Sequence, residues 1–224
     1  FSYVFPHTAK NLETYRYRML EAAKANAAKN GYQGAQYPWE SADDGTEQCP
    51  DWTIEPDGTC YRCYVAVYEH HVTAAVAYGI YNYVRITHDT EFLLHKGAEI
   101  LIETARFWKS RLQYIKENDR YEIHRVTGPD EWHEPVDNNV YTNYLARWNL
   151  RYVTALTEML SREYPQEYTA LVEKLGLTEE EIADWDAVAA KVYLPRKEGT
   201  QLLEQFEGYF DLKEAVIEKY DSND

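Results

Sequence analysis

Gly128-Pro129-Asp130-Glu131-Trp132-His133-Glu134 sets three carboxylates and a histidine around an indole, in a stretch that Gly and Pro punctuate. A glutamate beside a tryptophan loses hydration of its charged form, which raises its pKa and leaves a proton to donate near neutrality. Cleavage of a glycosidic bond needs such a donor, because an alkoxide leaves poorly unless its oxygen is protonated as the bond breaks. Glu131 is therefore the candidate acid, with Asp130, His133 and Glu134 as supporting groups. The same residues also suit a turn whose acids cap the following helix, so the surrounding segments have to decide.

Two of them carry compatible chemistry. In Tyr37-Pro38-Trp39-Glu40-Ser41, Trp39 can stack on a pyranose ring and Glu40 can hold its hydroxyls. His70-His71-Val72-Thr73 follows at the start of a helical pattern. Taken singly, Trp39 equally suits a core plug, Glu40 a solvated loop acid and His71 a structural histidine. Asn138, Asn139 and Asn143 flank Tyr141-Thr142, and Asn138 or Asn139 is placed to cap the next helix. Arg147, one turn deeper beside Trp148, suits pairing with a carboxylate. The chain has no GxGxxG, P-loop, Ser-His-Asp signature or HExxH, so hydride transfer, kinase chemistry and zinc proteolysis lack sequence support.

The elements that must position these residues are helices. Leu12, Tyr15, Met19 and Ala23 form one stripe of a helix expected from Thr8 to Asn30, capped by Gly31. From Gly31 to about Tyr68 the periodicity gives way to Gly, Pro, Asp, Cys and aromatics, a connection long enough to carry function. Helical spacing returns at Val72, Val76, Ile80 and Tyr83, and after a break at Thr87–Thr90 at Leu101, Ala105, Trp108, Leu112 and Ile115. A second irregular stretch, Asp119 to Asn139, precedes a helix through Tyr141, Leu145, Trp148, Tyr152, Leu156 and Met159. Another helix ends at Gly176, and Thr178-x-x-Glu181 opens the next with a capping box. The expected fold is all-α, with antiparallel helical hairpins and two long loops. Up-down alternation places both loops at the same end of the domain.

Composition narrows the partners. With 45% hydrophobic and 27% charged residues, 224 residues can bury a core. A formal net charge of −15, without a cluster of Lys and Arg, argues against nucleic acid. No apolar run is long enough to span a membrane, and the first residues lack a signal-peptide layout, so the expected location is the cytoplasm. Cys49, Cys60 and Cys63 leave an odd thiol under any pairing, which suits a reducing compartment. Cys60-x-x-Cys63 supplies only half of a zinc site, and no metal is expected. The 21 tyrosines, six tryptophans and six phenylalanines offer flat faces that suit sugar rings, although most must serve the core.

Three ordered blocks, YRYRMLEAAKANAAKNGYQGAQYPWES, EHHVTAAVAYGIYNY and VTGPDEWHEPVDNNVYTNYLARWNL, resemble glycoside hydrolase family 65, the maltose, trehalose, kojibiose and nigerose phosphorylase family. The resemblance implies a catalytic domain built as an (α/α)6 barrel of helical hairpins. It implies the general-acid role for Glu131 of the GPDE motif, and a sugar pocket lined by Trp39 and Glu40 of PWES. His71 and Thr73 match the family's HVTAD segment, which implies that they bind substrate, although Ala75 replaces an aspartate found in many members. Asp130, His133, Glu134 and Asn139 carry over as supporting residues. The implied reaction is inverting phosphorolysis of an α-linked glucose disaccharide to β-glucose 1-phosphate and a free sugar. Inorganic phosphate is then co-substrate, no cofactor is required, and the full-length protein is expected as a homodimer.

Family members are longer. The resemblance makes residues 1–224 one domain, the central portion of the helical-barrel catalytic domain, without the N-terminal β-sandwich and the later barrel segment that holds the phosphate loop. The isolated piece is accordingly expected to be poorly active and to leave apolar faces uncovered. Two other readings remain open at this stage: an inverting α-glucoside hydrolase of the same family, and a non-catalytic sugar-binding fragment.

Overall fold

The structure, a computed structural model, describes residues 1–213. Nine α-helices among the described residues carry the fold, joined by two small antiparallel hairpins. Helix α1 (Pro6–Arg18) starts on a proline, whose missing N–H costs nothing at that position, and α2 (Leu20–Lys29) continues it. The single helix expected over this stretch is interrupted at Met19 (φ −91°, ψ 6°). The following loop passes close by at this point, where a Cβ on Gly45 would lie 2.8 Å from the Met19 side chain. The stripe expected at Leu12, Tyr15, Met19 and Ala23 is also displaced. Ala9, Glu13, Leu20, Ala23 and Ala27 are the buried residues, whereas Leu12 is exposed. Small side chains let the helices approach closely, and Tyr15 turns its hydroxyl to the Ala42 carbonyl (2.6 Å).

The loop from Gly31 contains the hairpin β1 (Trp52–Ile54) and β2 (Cys60–Arg62), followed by the single turn α3 (Val65–Tyr68). Helix α4 (His71–Thr87) buries His71, Thr73, Ala74, Val76, Ala77, Ile80 and Tyr83. It ends at His88 in a left-handed conformation. Asp89 then caps the Phe92 N–H (3.0 Å) and accepts from Lys10 (2.7 Å) and Tyr83 (2.6 Å). Residues 90–111 run on as α5 (Thr90–Phe92), a π-helical turn (Leu93–Gly97) and α6 (Ala98–Arg111). Leu101, Ala105 and Trp108 are core, as their spacing predicts. Leu112 turns extended, and Ile115 belongs to strand β3 (Gln113–Ile115), which pairs with β4 (Arg120–Glu122).

Helix α7 (Val140–Glu163) is the spine of the domain, packed against α4, α6 and α9. Its buried stripe, with Leu150, Val153, Leu156 and Leu160, meets Ile100, Leu101, Ile102 and Trp108 of α6 in one core. Each such aliphatic side chain stabilises the fold by about 1.5–3 kcal/mol through burial. Helix α8 (Pro165–Leu175) ends at left-handed Gly176. Thr178 caps the Glu181 N–H (3.1 Å) of α9 (Glu179–Ala190), but the box is half closed: the Glu181 carboxylate turns to Arg106 of α6 (2.7 and 2.8 Å).

Glu13 lies under α4, where a Cβ on Gly79 would come 2.7 Å from its Oε1. Burial pushes its carboxyl up to about 7, and Arg16 offsets only part of this. The native protein thus binds this proton more tightly than the unfolded chain. The stability it contributes is complete below the ordinary carboxyl range and is lost as pH rises toward 7. Glu13→Gln is expected to match the wild type near pH 4 and to exceed its thermal stability at pH 8, by up to about 3 kcal/mol. A wild-type-to-variant gap that stays constant from pH 4 to 8 would contradict this reading.

Candidate active site

The acid loop is closed at its neck by Val126 and Val136, which exchange two backbone hydrogen bonds of 2.9 Å. Gly128, just inside, has no room for a side chain: a Cβ there would overlap the Asn139 amide. Asn139 is the cap that the sequence suggests, its Oδ1 accepting from the Thr142 N–H at the start of α7 (3.1 Å). Asn138 is a fully buried junction. It accepts from the Ile123 N–H (3.2 Å) and the Asn143 amide (3.1 Å), and donates to Glu122 (3.1 Å) and Glu207 (2.8 Å).

Within the loop, Asp130 accepts from the Trp132 N–H (3.1 Å), from His133 Nδ1 (2.7 Å) and from Gln205. His133 beside it is the main reason that its carboxyl sits below the usual range. Glu134 accepts from the Thr127 hydroxyl (2.9 Å). Both supporting acids therefore have partners that fix the loop, while Glu131 is exposed. Trp132 is 93% exposed and points away from the protein body, which removes the reason given by the sequence for a desolvated Glu131. Adjacency in the chain suggests shelter by the indole, but both residues lie exposed on a turn.

The desolvated carboxyl is instead Glu69, which motif reading missed because a lone acid before a histidine pair carries no signal. Its side chain has no solvent exposure, and neither oxygen has a hydrogen-bond partner among the described residues. Burial, followed by the nearby Glu131 and Glu134 carboxylates, pushes it up to about 8. The acid loop is held over this position by the Thr127 N–H, which donates to the Tyr68 carbonyl (3.1 Å).

From the other side comes the loop of Trp39. Its backbone is organised by Glu47, a second residue without a sequence signal, which accepts from the N–H groups of Trp39 (2.7 Å), Glu40 (3.0 Å) and Cys49 (3.0 Å). Thr73, fully buried, accepts from the Tyr37 N–H (3.0 Å), so its hydroxyl fastens this loop to α4. The Trp39 ring stands edge-on to His71 at 5.5 Å, and His71 in turn to Tyr141 at 5.8 Å. Burial keeps the His71 imidazole below its ordinary pKa, with the Thr127 backbone and then Glu131 opposing, and its buried Nδ1 meets no hydrogen-bond partner within the geometric limit among the described residues. His70 is structural: it is buried, accepts from Arg111 (3.1 Å) and bonds the Val67 carbonyl (2.9 Å). Glu40 is exposed. Ala75 lines a different groove, with Leu12 and Arg16 of α1.

Both long loops thus meet at the N-terminal ends of α4 and α7, the shared end that helix alternation predicts. They bring Trp39, His71 and Tyr141 together with Glu69, Glu131 and Glu134, flat apolar faces next to acids. A second concavity of about 520 Å³ opens on α4 and α7, where Tyr81, Trp148 and Tyr152 face Arg147, Arg151 and Arg196. The carboxylate partner expected for Arg147 is not found among the described residues; burial and Arg151 lower its pKa. Cys49 and Cys63 sulfurs lie 3.9 Å apart as free thiols. Among the described residues no group of three or more His, Cys, Asp or Glu is placed to hold a metal, and no helix is long and apolar enough to cross a membrane.

Helical hairpins with aromatic rings and acids gathered at one end make up the described residues. The model of the glycosyl hydrolase family 65 central catalytic domain matches residues 1–224, and the chain belongs to that family. It is similar to a kojibiose phosphorylase of Thermoanaerobacter brockii, 53% identical over all of this chain and 29% of the relative. An alpha,alpha-trehalose phosphorylase of the same organism is 37% identical, over 98% of this chain and 27% of the relative. A solved structure from the human microbiome, named for kojibiose phosphorylase, superposes with a TM-score of 0.82 at 27% identity, covering 97% of this chain and 30% of that one. The fold is accordingly a part of an (α/α)6 barrel. The chain spans less than a third of the length of the curated relatives it matches.

Proposed function

We propose that the protein containing this chain phosphorolyses an α-linked glucose disaccharide with inversion, giving β-glucose 1-phosphate and a free sugar. The observation that carries the proposal is the meeting of the two loops: Trp39, His71 and Tyr141 present ring faces and edges where Glu131 stands exposed. An exposed acid next to aromatic surface suits a group that must reach a bound sugar. Phosphorylases among the similar proteins support phosphate as the nucleophile. In this reading Glu131 protonates the departing oxygen while phosphate attacks the anomeric carbon from the opposite face. Trp39 stacks on a sugar ring, Glu40 and His71 contact its hydroxyls, and Thr73 holds the Trp39 loop in place. Asp130, His133, Glu134 and Asn139 keep the acid loop in shape. Residues 1–224 form one unit, the central portion of the catalytic domain.

The test is a product assay on the full-length protein with glucose disaccharides, with and without phosphate. Phosphate-dependent release of β-glucose 1-phosphate is expected. Free glucose released at the same rate without phosphate would make the protein a hydrolase. Disaccharide binding without cleavage would leave a sugar-binding role.

A further inference from the structure

Cys49 and Cys63 have their sulfurs 3.9 Å apart, both half-buried and both free thiols. Cys60 is exposed on β2, in register with Ile54. The pair sits at the foot of the β1–β2 hairpin, where the Cys63 N–H donates to the Asp51 carbonyl (2.8 Å), one step below the Trp52–Arg62 pair. Cys49 is also tied to the loop of Trp39. Its N–H and that of Glu40 share Glu47 Oε1 (3.0 Å each), while Glu47 Oε2 accepts from the Trp39 N–H (2.7 Å). On the other side, Cys63 is followed after Tyr64 by α3, which leads into Glu69 and His71. A bond between the two sulfurs joins the segment that seats Trp39 to the segment that starts α4.

We propose that Cys49 and Cys63 form a thiol–disulfide modification site, closed by exchange with a small-molecule disulfide and reopened by thiols, whose closure is transmitted through Glu47 to Trp39. One cysteine thiolate attacks a sulfur of the small disulfide, giving a mixed disulfide and releasing the first small thiolate. The second cysteine gives up its proton and attacks the protein sulfur of that mixed disulfide, releasing the second small thiolate. The products are the Cys49–Cys63 bond and two small thiols, which carry away the two electrons and the two protons. A disulfide length of about 2.05 Å brings the sulfurs about 2 Å closer than their 3.9 Å as thiols. The movement of Cys49 disturbs the carboxylate oxygen that it shares with Glu40, so the oxidised protein holds Trp39 less firmly. The effect on sugar binding rests on Trp39 lining the sugar pocket; the disulfide itself does not.

Full-length protein is incubated with oxidised glutathione for hours at about pH 8.5, because burial, and then Cys63 beside it, pushes the Cys49 thiol up to about 11 and slows exchange. Remaining thiols are alkylated and the peptides mapped by mass spectrometry. The expected product has the Cys49 and Cys63 peptides linked with loss of two hydrogens, Cys60 alkylated, and full reversal by dithiothreitol. Unmodified cysteines, a lasting glutathione adduct on Cys49 or Cys63, or a link through Cys60 would overturn the site. With the disaccharide, oxidation is expected to raise KM by about two- to tenfold, the worth of one aromatic contact, and to leave kcat in place. The rise should persist in Cys60→Ser and vanish in Cys63→Ser. A linked protein with an unchanged KM would overturn the transmission to Trp39. Trp39→Ala tells the two levels apart: an unchanged KM there ends the sugar-stacking reading, while a mapped Cys49–Cys63 bond still establishes the modification site.

Discussion

Glu131→Gln in the full-length protein is expected to lower kcat on a disaccharide by about 10²–10⁴-fold, the range that a positioned proton donor supplies. KM should change little, because Glu131 is exposed and the loop that carries it is held by other groups: Asp130 by His133 and Gln205, Glu134 by Thr127. The deficit should shrink on α-glucosyl fluoride, whose leaving group departs without a proton. A variant equally impaired on both substrates would show that the substitution disturbs binding or folding instead of proton transfer. An unimpaired variant would remove Glu131 from the mechanism.

The second large effect is structural. Gly34 has a positive φ (+67°), and a Cβ there would overlap the Glu103 carbonyl and lie 2.6 Å from both Arg106 Cβ and Phe107 N. These atoms belong to α6 at its most buried part and cannot move aside. The same Glu103 carbonyl accepts from the Ala35 N–H (2.9 Å), so the loop is seated on the helix at this point. Gly34→Ala is expected to cost about 2–4 kcal/mol, from backbone strain together with overpacking. It should also raise KM, since Trp39 lies five residues along the displaced loop. Gly31→Ala is the control: its φ is also positive (+82°) but nothing lies within 4 Å, so only the strain remains. Equal melting temperatures for the two variants would refute the close-approach argument.

Much of this fold could be read from spacing, because helix-forming stripes such as Val76-Ile80-Tyr83 and Leu101-Ala105-Trp108 are local and strongly periodic. Capping residues were equally legible: Asn139, Gly176 and Thr178 stand where their side chains or backbone freedom require them. The break at Met19 has no Gly or Pro to announce it and lies where a loop 26 residues away in sequence passes close by, at Gly45. The hairpin β1–β2 did have a signal, Pro56-Asp57-Gly58 between Trp52–Ile54 and Cys60–Arg62, easily lost in a loop of mixed composition. In the site, Glu131, Trp39 and His71 were recognisable as a constellation, whereas Glu69 and Glu47 were not. Their importance comes from burial and from backbone N–H groups, which only the assembled chain defines. Trp132 is the converse case, a neighbour in sequence that contributes no shelter in space.

The acid loop is also fastened from far along the chain. Gln205 binds Asp130 and offers its carbonyl to the Val140 N–H (2.9 Å), Glu207 binds Asn138 and donates its N–H to Asp137 (3.1 Å), and Phe206 packs on His133 at 5.3 Å. On the ribosome, the nine helices of the described residues have all been made by Ala190, before residues 205–207 emerge. A nascent chain at that stage has its scaffold and its acid but no latch on the loop that aims it. Such long-separation contacts form late, so the acid loop takes up its geometry after the helices that precede it, in a step distinct from the assembly of the helical core.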